Sequence, residues 1–361
     1  MGVAKGDVAP GFEPVRAAFE RCFEELGEEG ASFAACHRGE LVVDLYGGEI
    51  ERDSLVNVYS VGKPLVAFCV LLLADRGLLD LSDPVAEYWP EFAQAGKAGV
   101  TVRQLLSHQA GIPALREPLP PEALFDWERL CAALAAEEPW FEPGTAHAEH
   151  VLLYGHLCGE LVRRCDSRTL GTFWREEVAR PWALDFAFGL DDAQLARALD
   201  LRGELDAPGT DLARQGLSNP PGARDLAVVN GEAWRRAEIP AVNGHSTAVA
   251  LARFYSGLHQ GGDLDGVRLV SPSTVAAMFA PQMTAVDPLL GEEMTWALGA
   301  AVDDEGWGMG GIGGSYAGIE PNVGTTEAYV TRTMGTHDRI VLVGEALYAA
   351  AAERPARSPG V

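Results

Sequence analysis

Strand-like patterning at the two ends of this chain, separated by a long helical middle, constrains its fold more than any other feature. Residues 31–36 and 40–46 (Leu41, Val42, Val43, Leu45, Tyr46) read as a strand pair around His37-Arg38-Gly39. Strand-like stretches return only at Thr295–Val302, Ser315–Glu320 and Thr325–Thr333. Between them, roughly residues 80–290 alternate helical segments with breaks such as Pro118-Leu119-Pro120-Pro121 and Asn219-Pro220-Pro221-Gly222. Helical spacing also marks 12–26, closed by Gly27, and about 338–353. The economical reading is one sheet made from both termini, with a mostly helical region inserted between them. The tail, residues 354–360, is expected to fray.

The chain has 361 residues, enough for two domains or one large domain with an insertion. Acidic residues outnumber basic ones 52 to 28, for a formal charge of −24. Such a surface repels phosphate backbones and anionic lipid, which argues against nucleic-acid or membrane-surface binding as the main activity. The six cysteines contain no C-x-x-C pair, and several lie in apolar runs such as Phe68-Cys69-Val70, so buried free thiols are expected. The first residues lack a charged-then-apolar secretory pattern. The longest apolar run, Leu65–Ala74, falls short of the ~20 residues a bilayer requires. A soluble, cytoplasmic protein is the expectation.

The strongest chemical signal is Asn57-Val58-Tyr59-Ser60-Val61-Gly62-Lys63, followed at once by the apolar run from Leu65. A helix starting at or just before Ser60 puts Ser60 and Lys63 one turn apart on one face. Pro64 is compatible with that, because first-turn N–H groups lack intrahelical partners anyway. A serine hydroxyl is a weak nucleophile by itself, and a lysine amine kept neutral by burial can take its proton. The tetrapeptide alone, which often recurs by chance, fits an N-cap serine with a snorkelling lysine better than a catalytic pair.

The wider context separates these readings. Residues Leu55–Lys63 resemble the nucleophile segment of the penicillin-recognising serine hydrolases, most closely the class C β-lactamase-related esterases. Arg76–Val85 with Trp89-Pro90, Thr101–Pro113, Glu142-Pro143-Gly144-Thr145, Tyr154–Leu161 and Gly310–Ser315 continue the resemblance in order, from about residue 10 to 350. It implies an α/β (α+β) fold of the β-lactamase/transpeptidase-like type: an antiparallel sheet flanked by helices and built from both termini (1–80 and 290–361). The inserted, mostly helical domain would span 81–289, with the active site in the cleft between.

Two motifs depart from the family pattern. Counting from Pro143-Gly144-Thr145 and back from Tyr154 puts Glu149 where the family has a tyrosine, and Val151 where it has an asparagine. The third motif, usually Lys-Thr-Gly, His-x-Gly or Trp-x-Gly, reads Met309-Gly310-Gly311. A tyrosine, with an ordinary pKa near ~10, can shuttle a proton, whereas a glutamate near ~4.3 is ionised beside an ammonium. Glu149 can therefore act as a base, activate a water, or pair with Lys63 and hold it protonated. Met309 removes the usual grip on a substrate carboxylate, which disfavours penicillins and D-alanyl peptides.

The resemblance implies Ser60 as nucleophile, Lys63 as general base, and the backbone N–H groups of Ser60 and Ile312 as the oxyanion hole. Glu149 joins the catalytic set, and His150, Met309, Gly310, Gly311 and Trp307 are expected at the substrate pocket. Trp234, His245 and Tyr316 fit a pocket wall or core packing equally. His108 reads as structural, and His147, His150 and His156 lack metal-ligand spacing. Gly306–Gly311 matches G-x-G-x-x-G formally, but no nucleotide unit surrounds it. The expected function is acyl transfer from a small-molecule ester or amide, with no metal or organic cofactor implied. The alternative is a catalytically silent relative that binds a ligand in the old cleft.

Overall fold

The computed structural model describes residues 3–205, 209–304 and 306–354, so most of the tail expected to fray lies outside the described residues. One antiparallel sheet of nine strands organises them. Its strands are β1 (Ala4–Val8), β2 (Gly30–His37), β3 (Glu40–Gly48), β4 (Met283–Val286), β5 (Glu293–Trp296), β6 (Ala301–Val302), β7 (Trp307–Gly310), β8 (Tyr316–Glu320) and β9 (Thr325–Thr331). Their order across the sheet is β1-β3-β2-β9-β8-β7-β6-β5-β4, so β2 and β9, from opposite ends of the chain, lie side by side. The β2–β3 hairpin turns at Arg38 and Gly39, both at positive φ, as a tight hairpin turn requires.

Five helices matter for the site and its support: α1 (Glu13–Glu25), α2 (Lys63–Asp75), α3 (Tyr154–Asp166), α4 (Ala248–His259) and α5 (Asp338–Ala352). Helices α1 and α5 cover one face of the sheet, where Val15, Phe19, Phe33, Tyr329, Val343 and Leu347 form a buried cluster. Helix α4 covers the other face, and α2 lies in the main core against α3. Every residue of α2 from Lys63 to Leu73 is buried, which explains an apolar run with no polar stripe.

The stretch Thr295–Val302, expected as one strand, is instead a hairpin. β5 ends at Trp296, the Ala297 N–H bonds the Ala300 carbonyl, and Gly299 takes φ +93°. A Cβ on Gly299 would stand 2.4 Å from the Ala67 Cβ of α2, so close packing as well as conformation calls for glycine. Trp307–Gly310 is itself a strand, although its three small or flexible residues gave it no strand pattern. Five cysteines are buried, Cys165 is half-buried, and all six are free thiols. No helix among the described residues is long and apolar enough to cross a membrane.

Candidate active site

A strained turn presents Ser60. Val56–Asn57 pairs with His245–Ser246, which in turn pairs with Phe186–Ala187, so a small three-stranded sheet anchors the approach to the turn. The Asn57 Oδ1 accepts the Tyr59 N–H at 2.9 Å. Tyr59 then adopts φ +47° with its ring wholly buried. That backbone conformation costs on the order of 1–3 kcal/mol for a non-glycine residue, and the packed core around the ring holds it there. A 3₁₀ turn over Tyr59–Gly62 leads directly into α2, with Pro64 in the first helical turn.

Ser60 and Lys63 thus fall one turn apart, and the Lys63 Nζ lies 2.5 Å from the Ser60 Oγ. Lys63 is completely buried and Ser60 is 6% exposed. The Glu149 Oε1 stands 2.9 Å from the same Nζ. Burial pulls the Lys63 ammonium below its ordinary value, and the Glu149 charge and hydrogen bond only partly restore it. The sequence left Glu149 as a base, a water activator or a partner of Lys63, and its carboxylate stands against Lys63. Desolvation outweighs the Glu149 charge because the whole lysine side chain is out of water.

Glu149 comes from irregular backbone between Trp140 and Tyr154. This segment lies alongside residues 108–111: the N–H groups of Trp140, Gly144 and Ala148 bond the carbonyls of Gly111, Gln109 and His108. The N–H of Glu149 donates to the Asp287 Oδ2 at 3.0 Å, and that of His150 to the His108 Nδ1 at 3.1 Å. Accepting that bond fixes the His108 proton on Nε2, and burial keeps its ring well below the usual histidine range. His108, itself at φ +62°, is a scaffold residue. The Tyr154 hydroxyl donates to the Leu106 carbonyl at 2.9 Å, and burial pushes its pKa up, so its proton is committed elsewhere.

The third-motif strand β7 runs against the Ser60 turn and α2. A Cβ on Gly311 would stand 2.2 Å from the Val58 carbonyl oxygen, so only glycine lets the two backbones come this close. Ile312 follows, half-buried, and packs with Ala148, Val151 and Leu289. Met309 is buried and places no cation or donor there. Gly310 faces the His337 ring. Trp307 and His150, both expected at the pocket, are buried, and Trp307 lines a cavity with Phe279 and Ile319. Trp307 packs between Tyr255 and Phe279, because it enters the strand beneath the helices, and His150 lies against His108 and Tyr154. Trp234 and His245 are buried too.

Tyr59, Asn57 and Asp287 were not singled out from the sequence. Asn57 adjoined the motif and carried a weak signal as a turn residue. A tyrosine at positive φ has no local signature, and Asp287 lies 138 positions from the residue it holds.

The family model described as Beta-lactamase matches residues 16–351. The Esterase/beta-lactamase LipL of Mycobacterium tuberculosis is 33% identical over 355 residues, covering 90% of this chain and 82% of that protein. A family VIII carboxylesterase of known structure is 37% identical with a TM-score of 0.90, covering 96% of this chain and 99% of the other. A penicillin-binding protein homologue from Caulobacter crescentus is 38% identical with a TM-score of 0.89 and the same coverage. With a family match along nearly its full length and relatives 33–38% identical, the chain belongs to the Beta-lactamase family and is a serine hydrolase of that fold.

Proposed function

We propose that the protein transfers acyl groups from small-molecule esters through a covalent intermediate on Ser60, in the cleft between the sheet and the inserted helical region. The observation that carries this reading is the fully buried Lys63 amine 2.5 Å from the Ser60 Oγ. The lysine accepts the hydroxyl proton as Oγ attacks the carbonyl carbon, and Glu149 stabilises the ammonium as it forms. The backbone N–H groups of Ser60 and Ile312 receive the oxyanion. Collapse of the tetrahedral intermediate returns the proton from Lys63 to the leaving alkoxide. Water, or an acceptor alcohol, then releases the acyl group by the same steps in reverse.

A fluorophosphonate probe and short-chain p-nitrophenyl esters test this. Labelling and turnover are expected in the unmodified protein and at background in Ser60→Ala; equal behaviour of the two proteins overturns the reading. With Met309 in place of a cation, nitrocefin turnover is expected near background, and efficient turnover would refute the role given to that position.

The 2.9 Å contact between Glu149 and Lys63 favours a second reading, in which the pair is a salt bridge that silences the nucleophile. Glu149→Gln keeps size and removes charge. Lost activity supports the first reading, a rise supports the second, and no change makes Glu149 a bystander.

A further inference from the structure

Three consecutive N–H groups, those of Ala148, Glu149 and His150, occur in buried backbone with no helix or strand to satisfy them. Each finds a separate partner: the His108 carbonyl, the Asp287 carboxylate and the His108 ring. A buried N–H left without an acceptor costs about 1–3 kcal/mol, so these partners dictate where the segment can lie.

Of the three, Asp287 alone carries charge and alone reaches Glu149. It is completely buried, yet four donors converge on it. Its Oδ2 accepts from the Glu149 N–H at 3.0 Å and the Trp296 indole N–H at 3.2 Å, and lies 3.3 Å from the His147 Nδ1. Its Oδ1 accepts the Leu289 N–H at 2.9 Å. These bonds outweigh burial and hold the carboxyl below its ordinary range, so it stays ionised. The His147 Nε2 lies 3.2 Å from the Met294 carbonyl of β5.

We infer that Asp287 is a positioning residue for the acyl-transfer site: its carboxylate fixes the Glu149 backbone so that the Glu149 side chain reaches Lys63. The inference rests on the catalytic reading of Ser60, Lys63 and Glu149. Asn at 287 preserves shape but replaces one acceptor oxygen with an N–H₂ group facing other donors. Either orientation of the amide sets the N–H₂ group against at least one N–H donor and removes the charge, so the segment is expected to shift and to draw Glu149 off Lys63.

The test is a double-mutant cycle read by fluorophosphonate labelling rate, with a crystal structure of Asp287→Asn beside it. Asp287→Asn is expected to slow labelling about 10-fold or more, and to have little further effect once Glu149→Gln is present. Equal slowing in both backgrounds makes Asp287 a general fold residue and overturns the inference. In the structure, a Glu149–Lys63 separation well beyond 4 Å is expected, and an unchanged contact overturns the inference. That distance can be read even if the unmodified protein never labels, so failure of the catalytic reading and failure of this inference remain distinguishable. Should Asp287→Asn fold poorly, Asp287→Glu serves, because it keeps the charge and displaces it by one methylene.

Discussion

The Ser60 turn and the Glu149 segment meet at the Lys63 side-chain nitrogen but are held by different means. The turn is short, and both its functional side chains sit one helical turn apart on covalently contiguous backbone. Helix α2, apolar from Pro64 to Ala74, follows it into the main core, and the Tyr59 ring is surrounded. The Glu149 segment has no regular structure and depends on discrete polar bonds to His108 and Asp287. Its apolar contacts belong to a small separate cluster around Ala148, Val151, Ala213, Leu217 and Leu289. Packing thus fixes Ser60 and Lys63, and hydrogen bonds fix Glu149. The first arrangement tolerates changes in distant polar residues, and the second does not.

Substitutions can break this contrast. The largest effect is expected from Glu149→Gln: a loss of about 10²-fold in ester turnover, the scale of a lost acid–base partner. Its pH profile sharpens the point. Turnover requires the Lys63 amine, so it rises with pH and levels off above the Lys63 pKa. Glu149 raises that pKa, so the inflection in Glu149→Gln moves to lower pH; a move upward would contradict the pairing.

Tyr59→Ala attacks the packed region instead. It empties a buried ring site and is expected to cost about 3–5 kcal/mol in chemical denaturation. A loss under 1 kcal/mol would show that the core does not hold the turn.

A third region serves as a control remote from both. Glu327 on β9 is wholly buried and accepts a hydrogen bond from the Tyr348 hydroxyl of α5, and burial raises its pKa to about 7. The folded state therefore keeps a proton that the unfolded state, with a carboxyl near 4.5, has released. Its stabilising contribution is complete below pH 4.5 and is lost as pH rises through 7. Relative to Glu327→Gln, the unmodified protein should lose about 3 kcal/mol between pH 4 and 8. Denaturation midpoints of the two proteins across that range check it. The smallest effect is expected from Ile312→Val, about 1 kcal/mol in stability with labelling unchanged, because its proposed contribution is a backbone N–H.

Much of this was legible in the sequence where one period or one spacing sufficed. Helix α1, the β2–β3 hairpin and the Ser60–Lys63 spacing are local, and their residues alone announce them. Glu149 was reachable by counting from Pro143-Gly144-Thr145 to Tyr154, because that interval is short. The hairpin at Ala297–Ala300 was hidden, since apolar residues on both arms read as one continuous strand. Strand β4, at the sheet edge, alternates over only four residues. Tyr59 at positive φ and Asp287 against Glu149 are set by tertiary packing, which no local pattern encodes. Sequence therefore announced which groups are present and concealed what holds them in place.

The neighbouring strands β2 and β9 also bear on synthesis. His37 pairs with Thr325, about 290 residues later. At about 5–20 residues per second, a ribosome needs roughly 15–60 s to supply the second partner after the first has emerged. For that interval β2, buried along its whole length in the finished molecule, offers an unpaired apolar edge to whatever is nearby. Co-translational chaperones, or slower growth at low temperature, should therefore raise the soluble yield of this protein more than they would for a chain whose sheet closes early.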